Sequence, residues 1–310
     1  MSRVEKLHRG AWRISLPQVL WCGLLAVGLI YFPCAKAEPS ALAVTGGVFD
    51  YSVQTGDSLI KIGARFGVVA EVLARENRLK VNVRLAPGQG IAVDNRHIVP
   101  AVLENGLLIN LPQRMLYFFR DAQLVVAYPV GLGRPTWQTP QGEFSVINKS
   151  DHKTWIVPRS IQEEMRRTGK EVKTSVPPGP DNPLGKYWLG LSLDSVGIHG
   201  TIAPASIYLF QSHGCIRLHP DDIEALFTQV PRGATGRIIY NPLLMTESAG
   251  RIFLEVQRDS YNRGGVSKVA LEQLAREKSL TARIDWALAE KVLELKDGIA
   301  RDITATPSAN

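Results

Sequence analysis

One short stretch gathers the side chains most able to do chemistry. In "GIHGTIAPASIYLFQSHGCIRLHP" stand His199, His213, Cys215 and His219. A histidine beside a thiol can take its proton, or pair with the thiolate as imidazolium, and so make a nucleophile near neutral pH. His199 ends a predicted strand and Cys215 follows a second apolar segment, "SIYLF", so a fold that joins those ends places the two side by side. Gly214, without a Cβ, lets a carbonyl approach the backbone, where the N–H groups of Gly214 and Cys215 could hold an oxyanion. Two other readings use the same residues. One is an inert buried cysteine, which would not need the flanking His-Gly pairs. The other is a zinc site of His199, His213, Cys215 and His219, whose ligand types suit zinc but whose spacing lacks the paired pattern of structural sites. Ser212 reads as a local hydrogen-bonding group and His219 as a surface histidine at a helix start.

The chain around this stretch limits what the thiol can be. Arg3, Lys6, Arg9 and Arg13 precede the apolar run "VLWCGLLAVGLIYF" and then "AKA" at Ala35 to Ala37, the order of a cleaved secretory signal over residues 1–37. The run is short for a membrane span. An uncleaved inner-membrane anchor is the rival, and a lipid on Cys34 is disfavoured by bulky Tyr31, Phe32 and Pro33 before it. Cleavage removes Cys22 and Cys34, so Cys215 becomes the one thiol of an exported chain and has no disulfide partner. It also takes five basic residues and one acidic residue, so the formal net charge of +7 falls to +3. No basic stripe marks a nucleic-acid partner, and no cofactor motif is present.

Residues 49–94 read as a small βααβ unit. "YSVQ" alternates as a strand, "TGD" turns into a cap, Leu59, Ile62 and Phe66 recur at helical spacing, Gly67 stops that helix, and Val72 and Leu73 sit on a second one. "APGQ" turns into a closing strand "GIAV". The unit, including "VQTGDSL", Asn77 and "LAPGQ", resembles a LysM domain. The resemblance implies binding to the N-acetylglucosamine-containing glycan of peptidoglycan through Thr55, Gly56, Asp57 and Asn77.

Residues 98–242 have a β texture: "MLYFF", "QLVVAYPVGL", "GEFSVINK", "YWLGLSL", "SVGIHG" and "GRIIYN", broken by Pro, Gly and Asp. No amphipathic helices separate successive strands, so a mostly antiparallel sandwich or barrel is expected. "HPDDIEALFTQV" is a helix with Pro220, Asp221 and Asp222 at its start. The long segment from Ser150 to Gly185, with a short charged helix and a proline cluster, reads as a lid or binding loop. Tyr187 and Trp188 are assigned to core packing beneath it. Residues 243–310 add "RIFLEV", a strand candidate, two amphipathic helices over 266–278 and 281–296, and a disordered tail. An apolar stripe of Ile284, Leu288, Val292 and Leu295 is expected to pack the second helix on the preceding domain.

"IHGT", "SHGCIRL", "PVGLGRPTWQTPQGEF" and "GPDNPLGKYWLGL" together resemble the L,D-transpeptidases, the YkuD-type catalytic domain. The resemblance implies a mainly β, sandwich-like catalytic fold. In it Cys215 attacks the carbonyl after the L-centre of diaminopimelate in a tetrapeptide stem, D-alanine leaves, and an amine resolves the thioester. Carried over, His199 is the general base, His213 orders the site and its oxyanion region, and Arg217 pairs with a substrate carboxylate. The whole chain then resembles the periplasmic enzymes of Gram-negative bacteria. These either attach a lysine-ended outer-membrane lipoprotein to diaminopimelate or make 3-3 cross-links, and the C-terminal extension favours the lipoprotein branch. A hydrolase of the same fold and a non-catalytic wall-binding protein are the alternatives.

Overall fold

The computed structural model describes residues 43–306. The expected signal segment with Cys22 and Cys34, and the last four residues, lie outside the described residues.

The first module contains β1 (Val44–Thr45), β2 (Val48–Ser52), α1 (Leu59–Phe66), α2 (Ala70–Glu76), β3 (Gly90–Asp94) and β4 (His97–Ile98). β2 pairs antiparallel with β3, and β1 with β4. Ser58 starts α1 by accepting from the Lys61 N–H, and Gly67 ends it at φ 75°, a conformation that suits a residue without a Cβ. Leu59 and Ile62 share one helical face and bury against Val72, Leu73, Ile91 and Val93.

The second module, the one whose sequence resembles a catalytic domain, runs through β5 (Gly106–Asn110), β6 (Met115–Arg120), β7 (Gln123–Pro129), β8 (Leu132–Gly133), β9 (Gly142–Asp151), β10 (Trp155–Ile156), α3 (Arg159–Arg167), β11 (Ser175–Val176), β12 (Tyr187–Leu191), β13 (Gly197–His199), β14 (Phe210–Ser212), β15 (Ile216–Arg217), α4 (Pro220–Gln229) and β16 (Thr235–Ile239). Eight of its strands form one sheet in the order β15-β13-β12-β9-β16-β5-β6-β7. Most pairs are antiparallel. The exceptions, β16 with β5 and β13 with β15, are parallel, and a separate parallel ladder joins β14 to β8. The module is therefore mainly β, with one large sheet rather than two equal ones.

Side chains alternate across a strand, and here both faces are covered. Leu107, Ile109, Leu116 and Phe118 enter the core that α4 closes with Ile223 and Leu226, and Val230 just after the helix joins it. Leu108, Tyr117 and Phe119 enter a second core that includes Ala64 of α1. The first module thus packs on the sheet, and Arg65 of α1 also pairs with Asp222 of α4 at 2.9 Å.

The C-terminal module departs from expectation. It is a three-stranded antiparallel sheet of β17 (Leu243–Ser248), β18 (Arg251–Val256) and β19 (Arg301–Asp302), backed by α5 (Lys268–Glu277) and α6 (Trp286–Leu295). It is an α/β unit, not a helical appendage, and up to Thr306 its end is no disordered tail. Ala249 and Gly250, at φ 49° and 76°, make the tight turn between β17 and β18. The second helix starts late because Asp285 caps it by accepting from Leu288 N–H, while Ile284 bridges Thr304 instead. Ile284 and Val292 are buried, but Leu288 and Leu295 are exposed, so the expected stripe does not form one packed face.

All three modules meet at one buried carboxylate. Glu255 accepts from the Ile98 N–H (2.6 Å), the Gln113 amide (2.9 Å) and the Gln257 amide (2.8 Å). His97 bridges it at 2.9 Å to the Gly67 carbonyl at 3.0 Å. A buried charge is tolerated only when its lone pairs are satisfied, and these three side chains and one backbone group satisfy it.

Candidate active site

The parallel pairing of β13 with β15 sets the site. Ile198 lies opposite Ile216 and His199 opposite Arg217. Alternate residues of a strand share a face, so His199, Arg217 and the preceding Cys215 open on one side. They line a cleft of about 490 Å³ with Ser195, Ser212, His213, Trp137, and Trp155, Ile161, Glu164 and Met165 from the long segment. That segment therefore roofs the cleft.

Between β14 and β15 the chain turns sharply at Gly214, φ 104°. Ser212 ties the turn: its hydroxyl donates to the Cys215 carbonyl at 2.6 Å and accepts from the Gly214 N–H at 3.2 Å. The Gly214 N–H is thereby engaged, whereas the Cys215 N–H is not used by these bonds.

Cys215 is half-buried and is the one thiol among the described residues. Its Sγ–H points at the Ser195 carbonyl, 3.8 Å away, rather than at an imidazole. Burial pushes the thiol's pKa up, against smaller opposing effects of the Gly197 N–H and the Arg217 cation.

His199 Nδ1–H donates to the Gly200 carbonyl at 2.6 Å. A carbonyl only accepts, so the proton sits on Nδ1 and Nε2 keeps its lone pair. Burial, and then the nearby Arg217 cation, depress the His199 pKa to about 4. At rest the pair is a neutral thiol and a neutral imidazole. Trp188 stacks on the imidazole, with centroids 5.7 Å apart and planes at 20°, and its indole N–H donates to Asn148. A Cβ at Gly197 would lie 2.3 Å from the indole. Trp188 is thus a wall of the His199 pocket, beyond the core packing assigned from sequence, while Tyr187 hydroxyl donates to Glu224 at 2.9 Å.

His213 belongs to a different network. Its Nε2 lies 2.6 Å from Glu164 of α3, and Glu164 also accepts from Arg134 at 2.9 Å. Trp137 meets the imidazole edge-on at 4.2 Å, beneath the Arg134 guanidinium. Burial lowers the His213 pKa, and the Glu164 bond pulls the other way. The His213 bond and then Arg134 hold Glu164 below the usual carboxylate range. Sequence reasoning passed over all three partners. Glu164 sits in "QEEMRR", which reads as a solvated charge run, and only its arrival over His213 distinguishes it.

Arg217 is mostly buried, its Nε has no hydrogen-bond partner, and burial lowers its pKa with no carboxylate among the opposing influences. An unpaired guanidinium fork in a cleft is a receptor for a carboxylate. His219 starts α4, accepting from the Asp221 N–H at 3.4 Å. The four groups of the zinc reading thus have separate partners, and no cluster of three or more His, Cys, Asp or Glu suited to a metal stands among the described residues.

In the first module, Thr55 and Gly56 are exposed at the turn after β2. Asp57 accepts from the Tyr51 hydroxyl (2.7 Å) and the Gln54 N–H (2.8 Å). Asn77 donates to Leu73 and Ala92 carbonyls and accepts from the Ala92 N–H. The Asp57 and Asn77 side chains are therefore tied up in holding the module together.

Residues 104–239 match the L,D-transpeptidase catalytic domain and residues 51–94 the LysM domain. The chain is 32% identical over 227 residues to the "Probable L,D-transpeptidase ErfK/SrfK" of Salmonella typhimurium, covering 70% of this chain and 73% of that one. It is 34% identical over 172 residues to the Escherichia coli protein of the same name, covering 54% of this chain and 55% of that one. The match thus spans about half the length of the Escherichia coli relative. Among solved structures, the L,D-transpeptidase from Mycobacterium smegmatis aligns with a TM-score of 0.36 and 19% identity over 43% of this chain and 57% of that one. The chain belongs to the L,D-transpeptidase family and carries a LysM domain.

Proposed function

We propose that this protein is an exported, periplasmic peptidoglycan L,D-transpeptidase that works through a thioester on Cys215. The observation that carries the reading is the shared face of β13 and β15, which holds Cys215, His199 and Arg217 in one cleft inside the family match.

Arg217 takes a carboxylate of the tetrapeptide stem and presents the carbonyl after the L-centre of diaminopimelate to Sγ. With a raised thiol and a depressed imidazole, proton transfer before attack is uphill. The Cys215 proton therefore moves to His199 Nε2 as the S–C bond forms, in general-base fashion. Negative charge gathers on the former carbonyl oxygen, and the Cys215 N–H is placed to meet it. Collapse breaks the C–N bond, the imidazolium returns its proton to the departing D-alanine amine, and an acyl thioester remains. An acceptor amine then attacks that thioester, forming an amide and regenerating the thiol. The acceptor is a lysine at the end of an outer-membrane lipoprotein or a second diaminopimelate, and the LysM module holds glycan through its exposed Thr55–Gly56 turn.

Incubation with tetrapeptide-bearing muropeptides, with and without a lysine-ended acceptor peptide, and mass analysis of the products tests this. Expected products are acceptor-linked or cross-linked tripeptide stems. Free tripeptide as the sole product would assign a hydrolase instead.

A further inference from the structure

With Tyr261 the C-terminal module reaches into the core of the catalytic module. Tyr261 lies beyond the catalytic match, which ends at residue 239, yet it is buried in the catalytic core. Its hydroxyl donates to the Gly133 carbonyl at 2.5 Å and accepts from the Thr139 N–H at 3.3 Å, so one oxygen staples both ends of the 133–139 turn. Its ring meets Phe210 edge-on at 5.2 Å, at the start of the strand that leads to the Ser212–Cys215 turn. Nearby, Arg263 donates to the Gln138 side chain at 2.9 Å, and the Gln138 carbonyl lies 3.7 Å from where a Cβ on Gly214 would stand.

The stapled turn carries Arg134 and Trp137, two of the three groups that hold His213. It has no slack: a Cβ at Gly133 would come within 2.2 Å of the Trp137 carbonyl oxygen. The staple is itself anchored. Asp259 accepts from the Tyr240 hydroxyl and from the Arg263 and Gly264 N–H groups, and the Tyr261 N–H donates to Tyr240.

We infer that Tyr261 is a positioning residue for the transpeptidation site: it braces the 133–139 turn so that Arg134 and Trp137 keep His213 oriented beside Cys215. The inference rests on Cys215 being the nucleophile. It gives the C-terminal module a part in the chemistry without placing any of its atoms in the cleft.

Tyr261→Phe in the full chain removes the staple and keeps the ring's packing. Loosening the turn admits water around His213 and relieves the desolvation that lowers its pKa. The His213 titration midpoint read by NMR is therefore expected to rise. The kcat for donor acylation should fall about tenfold, with KM for the donor within about twofold. Alkylation of Cys215 by iodoacetamide should keep its wild-type rate, because the thiol's own surroundings are untouched. Arg263→Gln, which removes the Gln138 bond and the guanidinium over the Tyr240 ring but keeps the Tyr261 staple, should lower kcat about threefold and move the midpoint the same way. An unchanged His213 midpoint and kcat in folded Tyr261→Phe protein would overturn the brace and leave Tyr261 a packing residue. Retained turnover in Cys215→Ala would instead overturn the nucleophile, so the two failures are distinguishable.

Discussion

Two buried polar clusters, one around Glu255 and one in the cleft, differ in how completely they are satisfied. Around Glu255, the donors of His97, Ile98, Gln113 and Gln257 all find acceptors, and the cluster locks three modules together. In the cleft, Arg217 Nε has no partner, His199 keeps a lone pair on Nε2, and the Cys215 N–H is open. A buried polar group left unmatched costs stability. Where a fold keeps several such groups in one hollow, a ligand is what completes them. Satisfaction, more than polarity or burial, separates the structural cluster from the one in the cleft.

The sharpest test of this contrast is removal of the proposed nucleophile. Cys215→Ala should cut turnover by at least about a thousandfold, while binding to isolated sacculi stays at the wild-type level. Loss of both together would mean the clusters are not separate.

Next in size is the junction. Glu255→Ala leaves His97, Gln113 and the Ile98 N–H without their acceptor, and should cost about 3–5 kcal/mol of stability by chemical denaturation. Opening one charged partner in the cleft should do the reverse. Arg217→Met removes an unpaired buried cation and should leave stability unchanged or raise it by about 1 kcal/mol, while KM for the tetrapeptide donor rises at least about tenfold. An equal stability loss in both variants would break the comparison.

The pH dependence follows from His199. Its folded pKa of about 4 lies below the ordinary 6.5, so in the native protein the imidazole stays neutral until the solution is well below pH 6.5. Activity should hold down to near pH 4 rather than fall off near 6.5. As pH drops through 6.5 the unfolded chain takes up the proton first, so the stability from the neutral buried imidazole is present above 6.5 and is lost between 6.5 and about 4. A kcat/KM profile with its acid limb near 6.5 would show that His199 is not buried as described. The smallest effect is expected in the LysM module. Asn77→Ala should cost about 1–2 kcal/mol, through the lost ties to Leu73 and Ala92.

Much of the arrangement was legible because it rests on local chemistry. Ser58 and Gly67 bound α1, Pro220 opens α4, and the "IHG" and "SHGC" stretches mark the site by residue type alone. The C-terminal module was misread because β19 has only two residues and its pairing with β18 is a long-range event. Nothing in "ARDIT" announces that partner. Glu164, Arg134 and Trp137 were missed for the same reason: their roles come from what they face.

Sequence alone therefore determined the candidate reacting types, a thiol with a histidine upstream and a second one beside it, and the family to which they belong. Tertiary structure decided which histidine keeps an open nitrogen and which is tied to the roof, left Arg217 without an ion-pair partner among the described residues, and seated Tyr261 behind the cleft. These are facts about neighbours distant in the chain. Burial, hydrogen-bond partnership and electric field are properties of the space around a side chain, and only the folded chain fills that space.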